Sequence, residues 1–271
     1  MKNKMRTYLS LGLSILALSA TTVSCSEYTK VLSSTDANYK MAMANKYYEQ
    51  GDCDKSTVLY DELLKLYKGT TKAERLYFAL ASSHYCQHDF LIAAYYFGNF
   101  EKRYAKSDKK IEASYMVGKC YQALSPNSDL NQEHTNQAIA HFTNFLQKYP
   151  NSEYDEEVRA ILKELNDKLT LKEANISLLY LKTEKYKPAI RSINLFLQKY
   201  PESKFVEKMK YNLVKAHYDL AIRSVEEKKE SRLKNVIIVF QDMKNSFPES
   251  SHLSELNKIV GKVRELQKAY K

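Results

Sequence analysis

The chain has 271 residues and a formal net charge of +10, with 22 Tyr and 10 Phe but no Trp. Its 6 Gly and 5 Pro are few for a protein built from sheets and tight turns. The glycines do not cluster, which excludes a P-loop and a dinucleotide-binding fingerprint. A basic chain could bind nucleic acid, acidic proteins or anionic headgroups, or carry a solvated surface of Lys and Glu.

Residues 1–24 have the features of a secretory signal. Basic side chains near the start precede an apolar run over residues 8–20, and small polar residues extend to Ser24. The run of about 13 residues is shorter than the roughly 20 that a membrane-spanning helix needs. We therefore expect a lipoprotein signal peptide that is removed on export, and no nucleic acid among the partners.

Cys25 lies directly after this segment. The arrangement resembles a lipobox, in which the Cys thiol takes a diacylglycerol before cleavage, although Thr22 stands where Leu or Val is more common. The alternative is an ordinary signal with a chance Cys nearby. We predict acylation of Cys25, palmitate included, and a lipidated tether over residues 25–36. Ser26 follows the Cys where Asp would retain a lipoprotein in the inner membrane, which favours the periplasmic face of the outer membrane.

Three segments repeat one pattern, in which two large apolar residues follow a small or β-branched residue and Pro comes next. The three sets are Ala138-Phe142-Phe145-Pro150, Ala189-Ile193-Phe196-Pro201 and Val236-Phe240-Met243-Pro248. Two weaker copies without the proline precede them, Ser56-Tyr60-Leu63 and Ala93-Phe97-Phe100. These offsets place the first three residues on one helical face, and Pro then ends the helix. We expect Ser152, Ser203 and Ser250 to cap the helices that follow.

The helix before each copy supplies a partner face. It carries a small residue and an aromatic-type residue three positions later: Ala44 with Tyr47, Ala81 with His84, Gly118 with Tyr121 and Ser177 with Tyr180, whereas Lys215 with Tyr218 departs from the small position. The small residues would let two helices approach, and the aromatic residue would fill the gap between repeats. This order resembles the tetratricopeptide repeat (TPR), without its usual first Trp and with spacings longer than 34 residues.

The predicted fold class is all-α, a TPR-like helix-pair superhelix of about five repeats and roughly 10 to 12 helices. Residues 37–150 would form an N-terminal half, and residues 151–271 a C-terminal half with a capping helix. Residues 125–135 are rich in turn formers and predict an insertion. The apolar pattern over residues 153–182 predicts two consecutive helices or one long bent helix.

No residue set predicts catalysis, a metal site or a cofactor. His84 and His88 have the spacing of two metal ligands on a helix, but His84 occupies an aromatic position of the repeat, so we expect it to pack there. Cys53, Cys86 and Cys120 allow at most one internal pair, and small buried hydrophobic residues are the default interpretation.

Five ordered segments carry a family resemblance. They are residues 25–32, 73–104, 125–150, 186–201 and 215–232. In this order they resemble the BamD family, the TPR lipoproteins of the β-barrel assembly machinery, in its Bacteroidetes-like form.

The resemblance implies an adaptor without catalytic activity that assists the folding and insertion of outer-membrane β-barrel proteins. In that family the C-terminal half contacts the POTRA region of the BamA-like barrel subunit, and the N-terminal half receives unfolded barrel substrates. Exposed Arg residues are favoured anchors in interfaces. We therefore place a partner-binding patch at Arg223, Ser224 and Arg232, although these residues could equally do no more than solvate a helix and a turn.

Two other protein-binding functions share parts of this pattern. A periplasmic TPR scaffold for envelope division or peptidoglycan synthesis would lack the segment over residues 28–50 and the insertion over 125–135. A glycan-binding TPR lipoprotein of a nutrient-uptake system is usually longer and rich in Trp, which this chain lacks. An enzyme is the most remote alternative.

Overall fold

The computed structural model describes residues 27–270, so the predicted signal peptide and Cys25 lie outside the described residues. Within that range the chain is helical and contains no strand. The helices are α1 (Ala37–Glu49), α2 (Cys53–Leu66), α3 (Lys72–Cys86), α4 (Phe90–Arg103), α5 (Lys110–Leu124), α6 (Glu133–Lys148), α7 (Asp155–Lys182), α8 (Tyr186–Lys199), α9 (Val206–Ile222), α10 (Glu226–Ser246) and α11 (Leu253–Gln267). A short 3₁₀ helix over Lys268–Tyr270 follows α11.

The helices follow one another as pairs, α1 with α2 through α9 with α10, before the terminal α11. The small and large apolar positions of the repeat, with Ser56 as the one polar member, all fall in the second helix of a pair, where they are buried: Ser56, Tyr60, Leu63, Ala93, Phe97, Phe100, Ala138, Phe142, Phe145, Ala189, Ile193, Phe196, Val236, Phe240 and Met243. One face of each of these helices is therefore buried in the core, together with buried residues of the first helices. The prediction of an all-α fold of TPR-like helix pairs is confirmed.

The first helix of each pair matches its predicted pattern at the small position but not always at the aromatic position. Ala44 and Ala81 are fully buried, and the small residues of the third and fourth pairs, Gly118 and Ser177, are buried as well. Tyr180, in contrast, is 37% exposed, so the prediction that this aromatic residue fills a gap between repeats is wrong in the fourth pair.

Prolines end helices as predicted, but the serines after them are not helix caps. α8 and α10 end just before Pro201 and Pro248. Ser203 Oγ and Ser250 Oγ each accept a hydrogen bond from the backbone N–H two residues later. These bonds form small turns before α9 and α11 begin. The carbonyl oxygens of Ser203 and Ser250, and not their hydroxyls, accept from the first N–H groups of these helices. Ser152 Oγ instead donates to Asp155 Oδ1 at 2.7 Å.

The motif Gln-Lys-Tyr-Pro, which occurs twice, also forms ion pairs. Lys148 Nζ and Tyr149 Oη both donate to Oε1 of Glu101, at 2.5 and 2.7 Å. Lys199 Nζ and Tyr200 Oη donate in the same way to Oε1 of Glu173, at 2.6 and 2.7 Å. The Lys-Tyr dipeptide thus fixes the end of its helix to a carboxylate on another helix.

The described chain divides into two compact units. Unit 1 comprises residues 27–125 and 134–158, and unit 2 comprises residues 126–133 and 159–270. The predicted insertion therefore belongs largely with the C-terminal unit, where Lys172 Nζ donates to the carbonyl oxygens of Ser128, Asp129 and Leu130 at 2.7 to 3.3 Å. The unbroken pattern over residues 153–182 corresponds to the single helix α7.

Part of the segment predicted to be a tether is folded. Residues 27–33 are helical, Val31 is fully buried, and the ring of Tyr28 packs edge-on against Tyr47 with 5.7 Å between centroids. The reason is a small apolar face on this segment that packs against α1 and α2. The fold therefore begins at least as early as residue 27.

Two of the three internal cysteines are linked. Cys53, the first residue of α2, forms a disulfide with Cys86, the last residue of α3, with 6.0 Å between their Cα atoms. Cys120 is free and fully buried. The default interpretation of small buried hydrophobic residues is therefore wrong for Cys53 and Cys86 and correct for Cys120.

Buried histidines are expected to make the stability depend on pH. His141 Nε2 donates to the carbonyl oxygen of Ser114 at 2.8 Å, and burial lowers the pKa of the ring. Burial also lowers the pKa of His84 and His217. The unfolded chain takes up protons near the ordinary value of 6.5, whereas the folded chain keeps these rings neutral. Stability should be complete above that pH and be lost as the pH falls through it toward the lowered folded values.

Thermal unfolding followed by circular dichroism at pH values of about 7.5 and 5.5 checks this expectation. The melting temperature should be lower at the acidic pH. His141→Asn keeps a donor for Ser114 and should weaken the dependence. An unchanged dependence in this variant would show that His141 is not one of the groups responsible.

Candidate protein-binding sites

Arg223 lies in the turn between α9 and α10 and pairs with the turn between α7 and α8. Its Nη1 and Nη2 donate to Oε2 and Oε1 of Glu184, at 2.5 and 2.9 Å. The guanidinium carbon also lies 5.3 Å from the ring centroid of Tyr186. These hydrogen bonds lower the pKa of the Glu184 carboxyl. Because the Arg223 and Glu184 side chains are 56% and 59% exposed, water screens the pair, and it adds little to stability.

Ser224 connects this turn to α10. Its Oγ donates to the carbonyl oxygen of Leu220 and accepts from Nη1 of Arg232. The structure therefore brings together the three residues predicted as a patch, and beside them Val225 is 61% exposed. We call Arg223, Ser224, Val225 and Arg232 the Arg223 surface.

Sequence reasoning did not identify Glu184 or Tyr186 as neighbours of Arg223. Glu184 is 39 positions away in the chain. The backbone of Glu184 has a positive φ of 57°, which is typical of a tight turn between helices. An isolated sequence does not show which carboxylate a given Arg will meet.

Unit 1 contains an open groove of about 850 Å³, which we call the N-terminal groove. Tyr48, Tyr60 and Tyr67 line it, together with apolar side chains that include Met41 and Phe78. Burial raises the pKa of Tyr60 to about 12, so its hydroxyl stays protonated. Tyr60 is only 3% exposed and supports the groove, whereas Tyr48, which is 37% exposed, offers aromatic contact area to a bound chain.

Polar and cationic groups accompany these aromatic rings. Tyr60 Oη donates to Asn45 Oδ1 at 2.8 Å, and the Asn45 side chain lines the groove. Lys72 Nζ lies 4.7 Å from the ring centroid of Tyr67, and Arg75 is exposed on the same helix. The groove can therefore hold apolar or aromatic side chains and also neutralise a carboxylate.

His84 and His88, which have the spacing of two metal ligands on a helix, are positioned differently, and His84 packs as expected. The His84 ring stacks on Tyr96 with 5.3 Å between centroids, whereas His88 lies in the following turn with a φ of 63°. Within residues 27–270, no three His, Cys, Asp or Glu side chains are grouped as metal ligands. None of the helices in that range combines the length and the apolar character needed to cross a membrane.

Comparison with known proteins gives the family. The model of a family described as YfiO, outer membrane lipoprotein, matches residues 34–233. The outer membrane protein assembly factor BamD of Haemophilus influenzae is 23% identical over 210 residues, which are 71% of this chain and 78% of that protein. The protein of the same name from Caulobacter vibrioides is 27% identical over 110 residues, which are 41% of this chain and 36% of that protein.

Solved TPR structures are more distant. A complex of the TPR2AB domain of yeast Sti1 with pHSP90 has a TM-score of 0.42 at 14% identity, covering 84% of this chain and 98% of the other. A TPR repeats protein of Bacteroides fragilis has a TM-score of 0.41 at 13% identity, covering 86% and 100%. At these scores neither structure informs the sites, and the family match carries the identification. The chain belongs to the YfiO family of outer membrane lipoproteins, the family of the assembly factor BamD.

Proposed function

We propose that the chain is a non-catalytic adaptor lipoprotein of the β-barrel assembly machinery, assisting the folding and insertion of outer-membrane β-barrel proteins. The observation that carries this proposal is the family match over residues 34–233, which extends from the start of α1 into α10. The two candidate sites support it, because both offer surfaces for binding polypeptide.

The membrane attachment in this proposal is acylation of Cys25 at the periplasmic face of the outer membrane. Buried acyl chains contribute about 0.8 kcal/mol per methylene, so several chains would anchor the protein without a spanning helix. Only Ser26 separates Cys25 from Glu27, where the described fold begins. Because two residues of extended chain span at most about 7 Å, the anchor would hold the first helix pair near the lipid headgroups.

The Arg223 surface is the proposed contact for the POTRA region of the BamA-like barrel subunit. Arg223 already adopts a bidentate geometry with Glu184. A carboxylate on a partner could take the place of Glu184 at little cost, because the existing pair is exposed. Val225 beside it would be buried by the same contact and add apolar area.

The N-terminal groove is the proposed site for unfolded barrel substrates. Strands of such substrates are rich in aromatic and apolar side chains that alternate along the chain. Tyr48 and Tyr67 would contact those side chains, while Arg75 and Lys72 would pair with acidic groups.

Affinity purification of the chain from detergent-solubilised outer membranes tests the function as a whole. We expect a large barrel protein with POTRA domains to be recovered with it. A reproducible preparation that lacks such a protein, or that contains division or peptidoglycan-synthesis proteins in its place, would contradict the proposal.

Arg223→Glu should reduce recovery of the POTRA-containing subunit at least tenfold, because the new carboxylate would repel Glu184 and any acidic partner group. Arg264→Glu, an exposed Arg on α11, is the matched control and should leave recovery unchanged. Quantitative immunoblotting of the purified complex measures both. Equal losses in the two variants would point to net charge as the cause and exclude the Arg223 surface.

A further inference from the structure

A second groove lies in unit 2, between α7 and α9. Its volume is about 830 Å³, and we call it the C-terminal groove. Its floor is formed by aliphatic side chains of α7, of which Ile176 and Leu179 are 45% and 57% exposed. Large apolar side chains that stay in water on a concave surface are characteristic of a binding site.

The charges around this floor are mainly positive. Lys172, Lys182 and Lys208 line the groove, and Asp129 is the one acidic residue among the described residues that line it. Lys182 and Lys208 are exposed, and no ion pair to either is found within residues 27–270. Lys172 is held by three carbonyl oxygens, which orient its ammonium group without neutralising it.

The far wall of the groove is already ordered. The rings of Tyr211 and His252 stack with 4.3 Å between centroids. Tyr211 Oη donates to Glu255 Oε2 at 2.7 Å, and Lys215 Nζ donates to Oε1 of the same carboxylate at 3.3 Å. The Glu255 carboxylate beside this wall is therefore already hydrogen-bonded to Tyr211 and Lys215.

We propose that the C-terminal groove binds an acidic peptide segment bearing leucine or phenylalanine side chains, supplied by another protein. Charge complementarity selects the acidic partner, because Lys182 and Lys208 line the groove beside its apolar floor and neither forms an ion pair within residues 27–270. The exposed floor selects a peptide with apolar side chains over a fully hydrated polyanion. This site is separate from the N-terminal groove and from the Arg223 surface, and it does not depend on the identity of the barrel subunit.

The test uses the detergent-solubilised full chain and two fluorescein-labelled peptides. One peptide consists of Glu, Leu, Phe and Ser, and in its partner every Glu is replaced by Lys. Fluorescence anisotropy should show saturable binding of the acidic peptide alone. Lys182→Glu combined with Lys208→Glu should weaken binding at least tenfold, and Leu179→Asp should do the same. Circular dichroism verifies that each variant is folded.

Two controls locate the site. Arg191→Glu and Arg264→Glu change exposed positions on α8 and α11 that do not line the groove, and neither should alter binding of the acidic peptide. Equal binding of both peptides would overturn the proposal, as would an equal loss of binding in the two controls or no effect of the double lysine variant. Displacement of the acidic peptide by phosphatidylglycerol vesicles, but not by unlabelled peptide, would also overturn it, in favour of a lipid surface. Each outcome is independent of whether a barrel subunit is recovered from membranes.

Discussion

Replacing Cys53 and Cys86 by Ser is expected to lower the free energy of unfolding by about 3 to 4 kcal/mol. The disulfide closes a loop between residues 33 positions apart, and the link restricts the unfolded chain far more than the folded one. It joins the start of α2 to the end of α3, and therefore two neighbouring helix pairs. Urea unfolding followed by circular dichroism measures the change as a shift in the midpoint.

Reduction separates the effect of the link from that of the substitutions. Treating the unsubstituted chain with dithiothreitol should lower its midpoint to that of the double variant, and the double variant should not respond. Cys120→Ala is the matched control for losing a cysteine. It should lower the free energy of unfolding by about 1 kcal/mol and leave the response to reductant unchanged. Identical midpoints for the unsubstituted chain with and without reductant would show that Cys53 and Cys86 do not form the bond.

The repeat core could be predicted from sequence because its signal is local. Phe97 and Phe100, like Phe142 and Phe145, lie three positions apart, and this spacing alone places each pair on one helical face. A helix that buries such a face must pack against a neighbour, so the helix pairs follow from the same pattern. Every repeat position in the second helices is buried accordingly.

Features that depend on how one helix pair meets the next could not be predicted in this way. The Cys53–Cys86 bond requires a register between α2 and α3, and the pairing of Arg223 with Glu184 requires two turns to coincide. Tyr180 occupies an aromatic position of the repeat but stays exposed. Both grooves arise in the same manner, because the walls of each come from several helices. The sequence therefore indicated the location of one candidate patch but neither groove.

Gly118→Ala should destabilise the protein by about 2 kcal/mol, although Ala is the better helix former. A Cβ at this position of α5 would lie 2.3 Å from Cε1 and 2.6 Å from Cζ of Phe142. Phe142 is fully buried, and the neighbouring His141 fixes α6 to the Ser114 carbonyl of α5, so the ring has little room to retreat. Overpacking of this kind lowers the free energy of unfolding by about 3 kcal/mol, and the higher helix propensity of Ala offsets about 1 kcal/mol of that loss.

The same substitution at Gly261 should have the opposite sign. Gly261 lies within α11, and no atom lies within 4 Å of the Cβ it would gain, so Gly261→Ala should stabilise the protein by up to about 1 kcal/mol. Urea midpoints of the two variants, measured side by side, isolate the close contact between α5 and α6 from helix propensity. A gain in stability for Gly118→Ala would mean that the two helices are further apart than described. A loss for both would mean that backbone flexibility, and not contact with Phe142, explains why glycine is present.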